Sequence, residues 1–105
     1  MQKDFIIALD QGTTSSRAII YNKKAQPLFS RNREFTQYYP KPGWVEHDAE
    51  ELFDSQLDVL KEIIGLAAQD NKCTEAELAE RIAALGITNQ RESVVLWEKS
   101  SGKPV

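Results

Sequence analysis

The sequence predicts an α/β fold, a mixed β-sheet with helices on at least one face. Three observations point there. Short apolar runs at Phe5–Leu9, Arg17–Tyr21 and Ala84–Thr88 have the length and β-branching of strands. A longer stretch behind Asp48 repeats apolar residues at helical spacing. Because that stretch precedes the last run, the last strand can return parallel to an earlier one.

Phe5–Leu9 (FIIAL) is a continuous apolar run, as expected of a central strand covered on both faces. Arg17–Tyr21 (RAIIY) follows a turn at Gln11-Gly12, and Pro27–Phe35 is a third, more polar and more exposed strand. Their short connections make a meander. "TQYYPKPGWVEHD" then places Pro40, Pro42 and Gly43 close together, which forbids regular structure. In that loop Trp44 is read as pinning the segment onto the body, and His47 as a residue of the loop or helix start with no nucleophile beside it.

Asp48 serves as N-cap with Glu51 three residues on, a capping-box pattern. Behind it Phe53, Leu57, Leu60, Ile64 and Ala67 form a core stripe, widened by Leu52, Val59 and Ile63. Thr74 with Glu77 makes a second capping box and opens a short helix through Leu78 toward Arg81, with Cys73 just outside. Ala84–Thr88 (ALGIT) reads as a buried strand, Asn89–Glu92 as its polar end and Val94–Trp97 as a further strand. Lys99–Lys103 is a turn in which Gly102 is available for a positive φ. The order is β-β-β-α-(α)-β-β, without internal repeats.

Composition narrows the function classes. The chain has 105 residues, 41% of them hydrophobic, enough for a real core in one modest domain. Thirteen basic and sixteen acidic residues give a net charge of −3, and the basic ones form no stripe, which argues against nucleic acid as a partner. A lone cysteine cannot make an internal disulfide, which fits a reducing, cytoplasmic setting. Neither a signal peptide nor an apolar span long enough for a membrane is present. "WEKSSGKPV" stops just after a turn, so the chain is expected to be part of a longer protein.

Asp10-Gln11-Gly12-Thr13-Thr14-Ser15 carries the most suggestive chemistry, and two readings are open. Aspartate and glycine are ordinary turn residues, so the stretch can be a plain hairpin with hydroxyls on its surface. Alternatively it binds phosphate: Gly12 lets the backbone approach an anion, and Thr13, Thr14 and Ser15 donate to its oxygens. A carboxylate beside phosphate is repelled by about 4 kcal/mol at 4 Å and an effective dielectric near 20. Asp10 in such a site therefore implies Mg²⁺ between the two, held directly or through water. No G-x-x-x-x-G-K-[ST] and no G-x-G-x-x-G occurs, so a P-loop and a dinucleotide fingerprint are excluded. Arg91 and Glu92 read from the residues alone as a solvated charged turn at a strand end.

"ALDQGTTSSRA", "YPKPGWVEHD" and "GITNQRE" followed by "GKPV" resemble, in the same order, the N-terminal part of the FGGY sugar kinases, and among them the glycerol kinases. The resemblance implies a ribonuclease H-like, actin-like ATPase fold, shared with hexokinase and Hsp70-type chaperones, and makes residues 1–105 the first part of the first kinase domain. It implies ATP-dependent phosphorylation of glycerol to sn-glycerol 3-phosphate, with ATP/ADP and Mg²⁺ as cofactors and a homo-oligomeric full-length enzyme. Position by position, Gly12, Thr13, Thr14, Ser15 and Arg17 match the nucleotide side, Asp10 the metal, and Arg91 and Glu92 the glycerol hydroxyls. Ser93 stands where threonine is usual and Ala49 where proline is common, neither of which alters the chemistry. The family's general base lies beyond residue 105, so the chain alone is expected to be inactive, and an open sheet edge is expected to let it self-associate. A related pentulose or polyol kinase, and a non-kinase nucleotide-binding module of the actin and Hsp70 kind, are the alternatives.

Overall fold

The structure, a computed structural model, describes residues 2–91 and 93–105. Strands β1 (Phe5–Gln11), β2 (Ser15–Tyr21) and β3 (Pro27–Glu34) form the expected antiparallel meander. Helices α1 (Ala49–Asp70) and α2 (Glu75–Glu80) follow, and β4 (Ile82–Thr88) returns parallel to β1. The sheet order is β3-β2-β1-β4.

The alternation along the strands decides which face is covered. Phe5, Ile7 and Leu9 of β1 and Ala18 and Ile20 of β2 are buried against Val59, Ile63 and Ala67 of α1 and Leu78 of α2. Each large aliphatic side chain buried there contributes about 1.5–3 kcal/mol. The intervening residues face the other way, where no helix of the described residues lies, and Ile6 is half-exposed. The expectation that β1 is covered on both faces is therefore corrected: the strand is central in the sheet but has one buried face.

β4 departs further from its reading as a buried strand. It is an edge strand, Leu85 and Ile87 are exposed, and only Ile82 packs on the core. Its sequence is as apolar as that of a buried strand, yet its register places Leu85 and Ile87 beside Ile7 and Leu9, beyond the reach of α1, which packs on β2 and β3. Val94–Trp97 does not form a strand. That stretch is exposed and makes a single bridge, Trp97 to Pro104, across a turn where Gly102 takes the expected positive φ of 74°.

Both helices start at a side-chain cap. Asp48 caps α1 as expected, accepting from the backbone N–H of Glu50 at 2.9 Å and Glu51 at 3.4 Å. The reciprocal half of that box is not made: Glu51 instead accepts from Thr36 N–H at 2.7 Å and from the Tyr38 hydroxyl at 3.3 Å, tying the loop to the helix. The box at Thr74 and Glu77 is complete, and the bonds to Thr74 hold the Glu77 carboxyl below its ordinary pKa. The core stripe of α1 is rotated from the expected one. Ser55, Val59, Ile63, Ala67 and Ala68 are buried, whereas Phe53 is 65% exposed. Trp44 also behaves differently: its half-exposed ring lies under the Lys41 ammonium, 4.8 Å from the centroid, and braces the loop on itself.

Two clamps close the ends of the layer. Arg81, at the junction of α2 and β4, bonds Asp4 at 2.8 Å, lies over the Phe5 ring and accepts from the N–H of Asp4 and Phe5. The hydrogen bond from Arg81 is the first cause that keeps the Asp4 carboxyl below the usual carboxylate range. Across β3 and α1, Arg33 bridges Asp58 and Glu62. Among the described residues, no helix is long and apolar enough to cross a membrane.

Candidate functional site

Register assembles the site on the uncovered face. Asp10 of β1 pairs with Arg17 of β2 on one side and with Thr88 of β4 on the other, and Arg17 pairs in turn with Asn32 of β3. Paired residues share a face. One polar row, Thr88–Asp10–Arg17–Asn32, therefore crosses all four strands at the end where β1 and the parallel β4 both terminate. That is the end of an open α/β sheet at which ligands are bound. At the opposite end of the same face Ile6 pairs with Tyr21, and Lys3, Asp4 and Lys23 line the same depression as these two.

A depression of about 400 Å³ lies over the row, lined by Asp10, Gly12, Ser15, Arg17, Ser30 and Asn32. Thr88 Oγ donates to the Asp10 carboxylate at 3.0 Å, and Arg17 Nε reaches Ser30 Oγ at 3.4 Å. The hairpin turn above is closed by Gly12 N–H donating to Ser15 C=O at 2.9 Å. Two further bonds tether it. His47 Nε2, which must donate because its partner is a carbonyl, meets Thr13 C=O at 2.9 Å, and Phe35 N–H donates to Thr14 C=O at 3.2 Å. The His47 ring packs edge-on against Phe35, with centroids 5.2 Å apart. Thr13 and Thr14 are exposed at the turn, with side chains that no strand neighbour covers.

The structure thus brings Asp10, Gly12, Ser15 and Arg17 together and sets Thr13 and Thr14 beside them. Arg91 is exposed and stands three residues past Thr88, so its Cα lies within about 11 Å of that of Thr88. Glu92 lies outside the described residues. Thr88 and Asn32 belong to the row and Ser30 lines the depression beside it, and the sequence reading marks none of the three. Only strand register, not any motif, selects them. Among the described residues no group of three or more His, Cys, Asp or Glu side chains could hold a metal ion.

The FGGY family of carbohydrate kinases, N-terminal domain, matches residues 5–105. The chain belongs to the FGGY family. Among curated relatives of this FGGY chain, a glycerol kinase of Bacillus cytotoxicus is 53% identical over 102 residues, 96% of the chain and 19% of the relative. Among solved structures, a Plasmodium falciparum glycerol kinase with ADP superposes with a TM-score of 0.78 at 31% identity, over 99% of this chain and 19% of that one. A xylulose kinase of Rhodospirillum rubrum superposes equally well, 0.78 at 29% identity, over 96% of this chain and 19% of that one. The chain spans about a fifth of the length of the relatives it matches. The mixed sheet with its helices is the fold of these sugar kinases.

Proposed function

We propose that this chain is the first part of the first domain of a glycerol kinase, which phosphorylates glycerol with ATP to give sn-glycerol 3-phosphate. The observation that carries the reading is the identity of 53% with a glycerol kinase along nearly the whole chain. Backbone likeness alone does not choose the acceptor, since glycerol and xylulose kinases superpose on the chain equally.

In this reading Gly12, Thr13, Thr14, Ser15 and Arg17 hold the nucleotide phosphates. Asp10 holds Mg²⁺, and its lone exposed carboxylate suits an ion that keeps several waters and bridges few carboxylates and phosphates. When bound, Mg²⁺ neutralises charge between the carboxylate and the phosphate oxygens. Thr88 fixes the Asp10 carboxylate through its hydroxyl, and the hairpin amides and hydroxyls orient the transferred group. Arg91 and Glu92 orient glycerol by satisfying its hydroxyls as donor and acceptor, which rejects analogues lacking them. The proton of the attacking hydroxyl goes to a base supplied outside this chain. Phosphoryl transfer requires nucleophile, metal and phosphate in line, so the chain by itself turns over no substrate. The full-length enzyme is cytoplasmic and homo-oligomeric.

Assaying the full-length protein for ADP release against glycerol, xylulose and other polyols tests this. Glycerol should have the highest kcat/KM. ATPase activity indifferent to every polyol would replace the kinase reading with a nucleotide-gated binding module.

A further inference from the structure

α1 reaches the base of the phosphate hairpin through polar groups set in an otherwise apolar interface. Gln11 and Ser16 face each other across the base of the turn as register partners and lie on the helix side of the sheet. The Ser16 hydroxyl, fully buried, is 3.0 Å from the Gln11 side-chain amide and 2.7 Å from the hydroxyl of Ser55, itself buried. The Ser55 hydroxyl is 2.9 Å from Leu52 C=O in the first turns of α1. One residue on, Gln56 Nε2 donates to Arg17 C=O at 2.9 Å.

Counting protons gives this chain of contacts a direction. A hydroxyl has one hydrogen to donate and a carbonyl has none. With the Gln11 amide oxygen turned to Ser16, the two hydroxyls supply two hydrogens for three contacts, and Gln11 Nε2 is buried without a partner among the described residues. Half a turn of the amide corrects both faults. Gln11 Nε2–H then donates to Ser16, Ser16 to Ser55, and Ser55 to Leu52 C=O. The amide oxygen takes the unpaired place, and buried acceptors go unpaired more readily than donors. In that orientation of the amide the hydrogen bonds run one way, from the end of β1 into the helix backbone.

We propose that Ser55 is a positioning residue for the phosphate hairpin, acting through Ser16 and Gln11, and this rests on the kinase reading above. Fold stability alone gives no reason for the relay, because buried polar partners all replaced together by apolar groups of similar shape can be nearly neutral. What the relay adds is orientation. It fixes both strand ends from which residues 12–15 project, while His47 and Phe35 fix the turn itself.

The test measures the ATP and glycerol KM values and the ADP dissociation constant of the full-length protein, for Ser55→Ala and for Ser16→Ala/Ser55→Ala. The single variant strands the Ser16 hydroxyl and the double variant strands the Gln11 amide instead, so both should melt earlier than the wild type. In both, the ATP KM and ADP dissociation constant should rise about 5- to 10-fold while the glycerol KM stays within about twofold. Nucleotide constants unchanged in both variants, or a glycerol KM that rises in step with that for ATP, would overturn the proposal. If the single variant does not fold, the double variant is read by the same thresholds. If the wild-type protein binds ADP but turns over no glycerol, the kinase reading fails, and the relay is judged on the ADP dissociation constant alone.

Discussion

Gly12→Ala probes how firmly the hairpin turn is held. A Cβ at this position would stand 3.1 Å from Ser15 C=O, where ordinary carbon contacts lie near 3.5–4.0 Å, so about 0.4 Å must be absorbed. The carbonyl has little freedom to retreat. It accepts the Gly12 N–H at 2.9 Å, and the carbonyls of Thr13 and Thr14 are tethered by His47 and Phe35. Against the strain stands the reduced freedom of the unfolded chain, worth about 0.4–1 kcal/mol for Gly→Ala. Overpacking in a constrained place costs about 1–3 kcal/mol. The strain wins, with a net loss of about 1 kcal/mol. For the 105-residue chain in urea, a slope of about 2 kcal/mol/M turns that loss into a midpoint lower by about 0.5 M. A midpoint equal to or above that of the wild type, at unchanged slope, would show that the turn yields and that the tethers do not pin it.

Other outcomes follow from the same geometry. Ile63→Ala, at a fully buried site, should cost about 2–5 kcal/mol, whereas Phe53→Ala, 65% exposed, should cost well under about 1 kcal/mol; equal losses in urea melts would contradict the observed rotation of α1. In the full-length enzyme Asp10→Asn should lower Mg²⁺-dependent turnover by more than about tenfold with glycerol KM little changed, and Arg91→Ala should raise glycerol KM about 10- to 100-fold; the reverse pattern in steady-state kinetics would exchange their roles. The Arg81 bond lowers the Asp4 pKa, so the unfolded chain takes up that proton first on acidification. The stabilisation is complete above the unfolded value near about 3.9 and is lost as pH falls through the lower folded one, and an acid titration of Asp4→Asn should lack that component. The uncharged edge of β4 should let the 105-residue chain self-associate, and Ile87→Lys should suppress this in sedimentation runs; a wild-type monomer at high concentration would refute it.

Much of the fold is local chemistry and therefore legible in the sequence. The Asp48 and Thr74 caps, the Gly102 turn and the β1–β2–β3 meander each follow from neighbours a few residues apart. What is not legible depends on distant partners. ALGIT has the composition of a buried strand, and only the position of α1 over β2 and β3 leaves Leu85 and Ile87 exposed. Glu51 matches a capping box, yet Thr36 and Tyr38 offer its carboxylate better-placed donors. At the site, the motif marks Asp10 and the hairpin, but Thr88 and Asn32 carry no motif and enter through strand register alone.

The pairing of β1 with β4 joins Asp10 to Thr88, 78 positions apart, while the meander closes through turns of a few residues. Long-range pairings are entropically the last to form, and edge strands with few buried side chains open with less free energy than the whole domain. Amide protons of Gly86 to Thr88 should therefore exchange ahead of those in β2, in a sub-global opening that leaves the hairpin folded. Each such excursion parts the Thr88 hydroxyl from Asp10, making the Asp10 side of the row the least protected portion of a sheet whose β1–β2 turn stays closed.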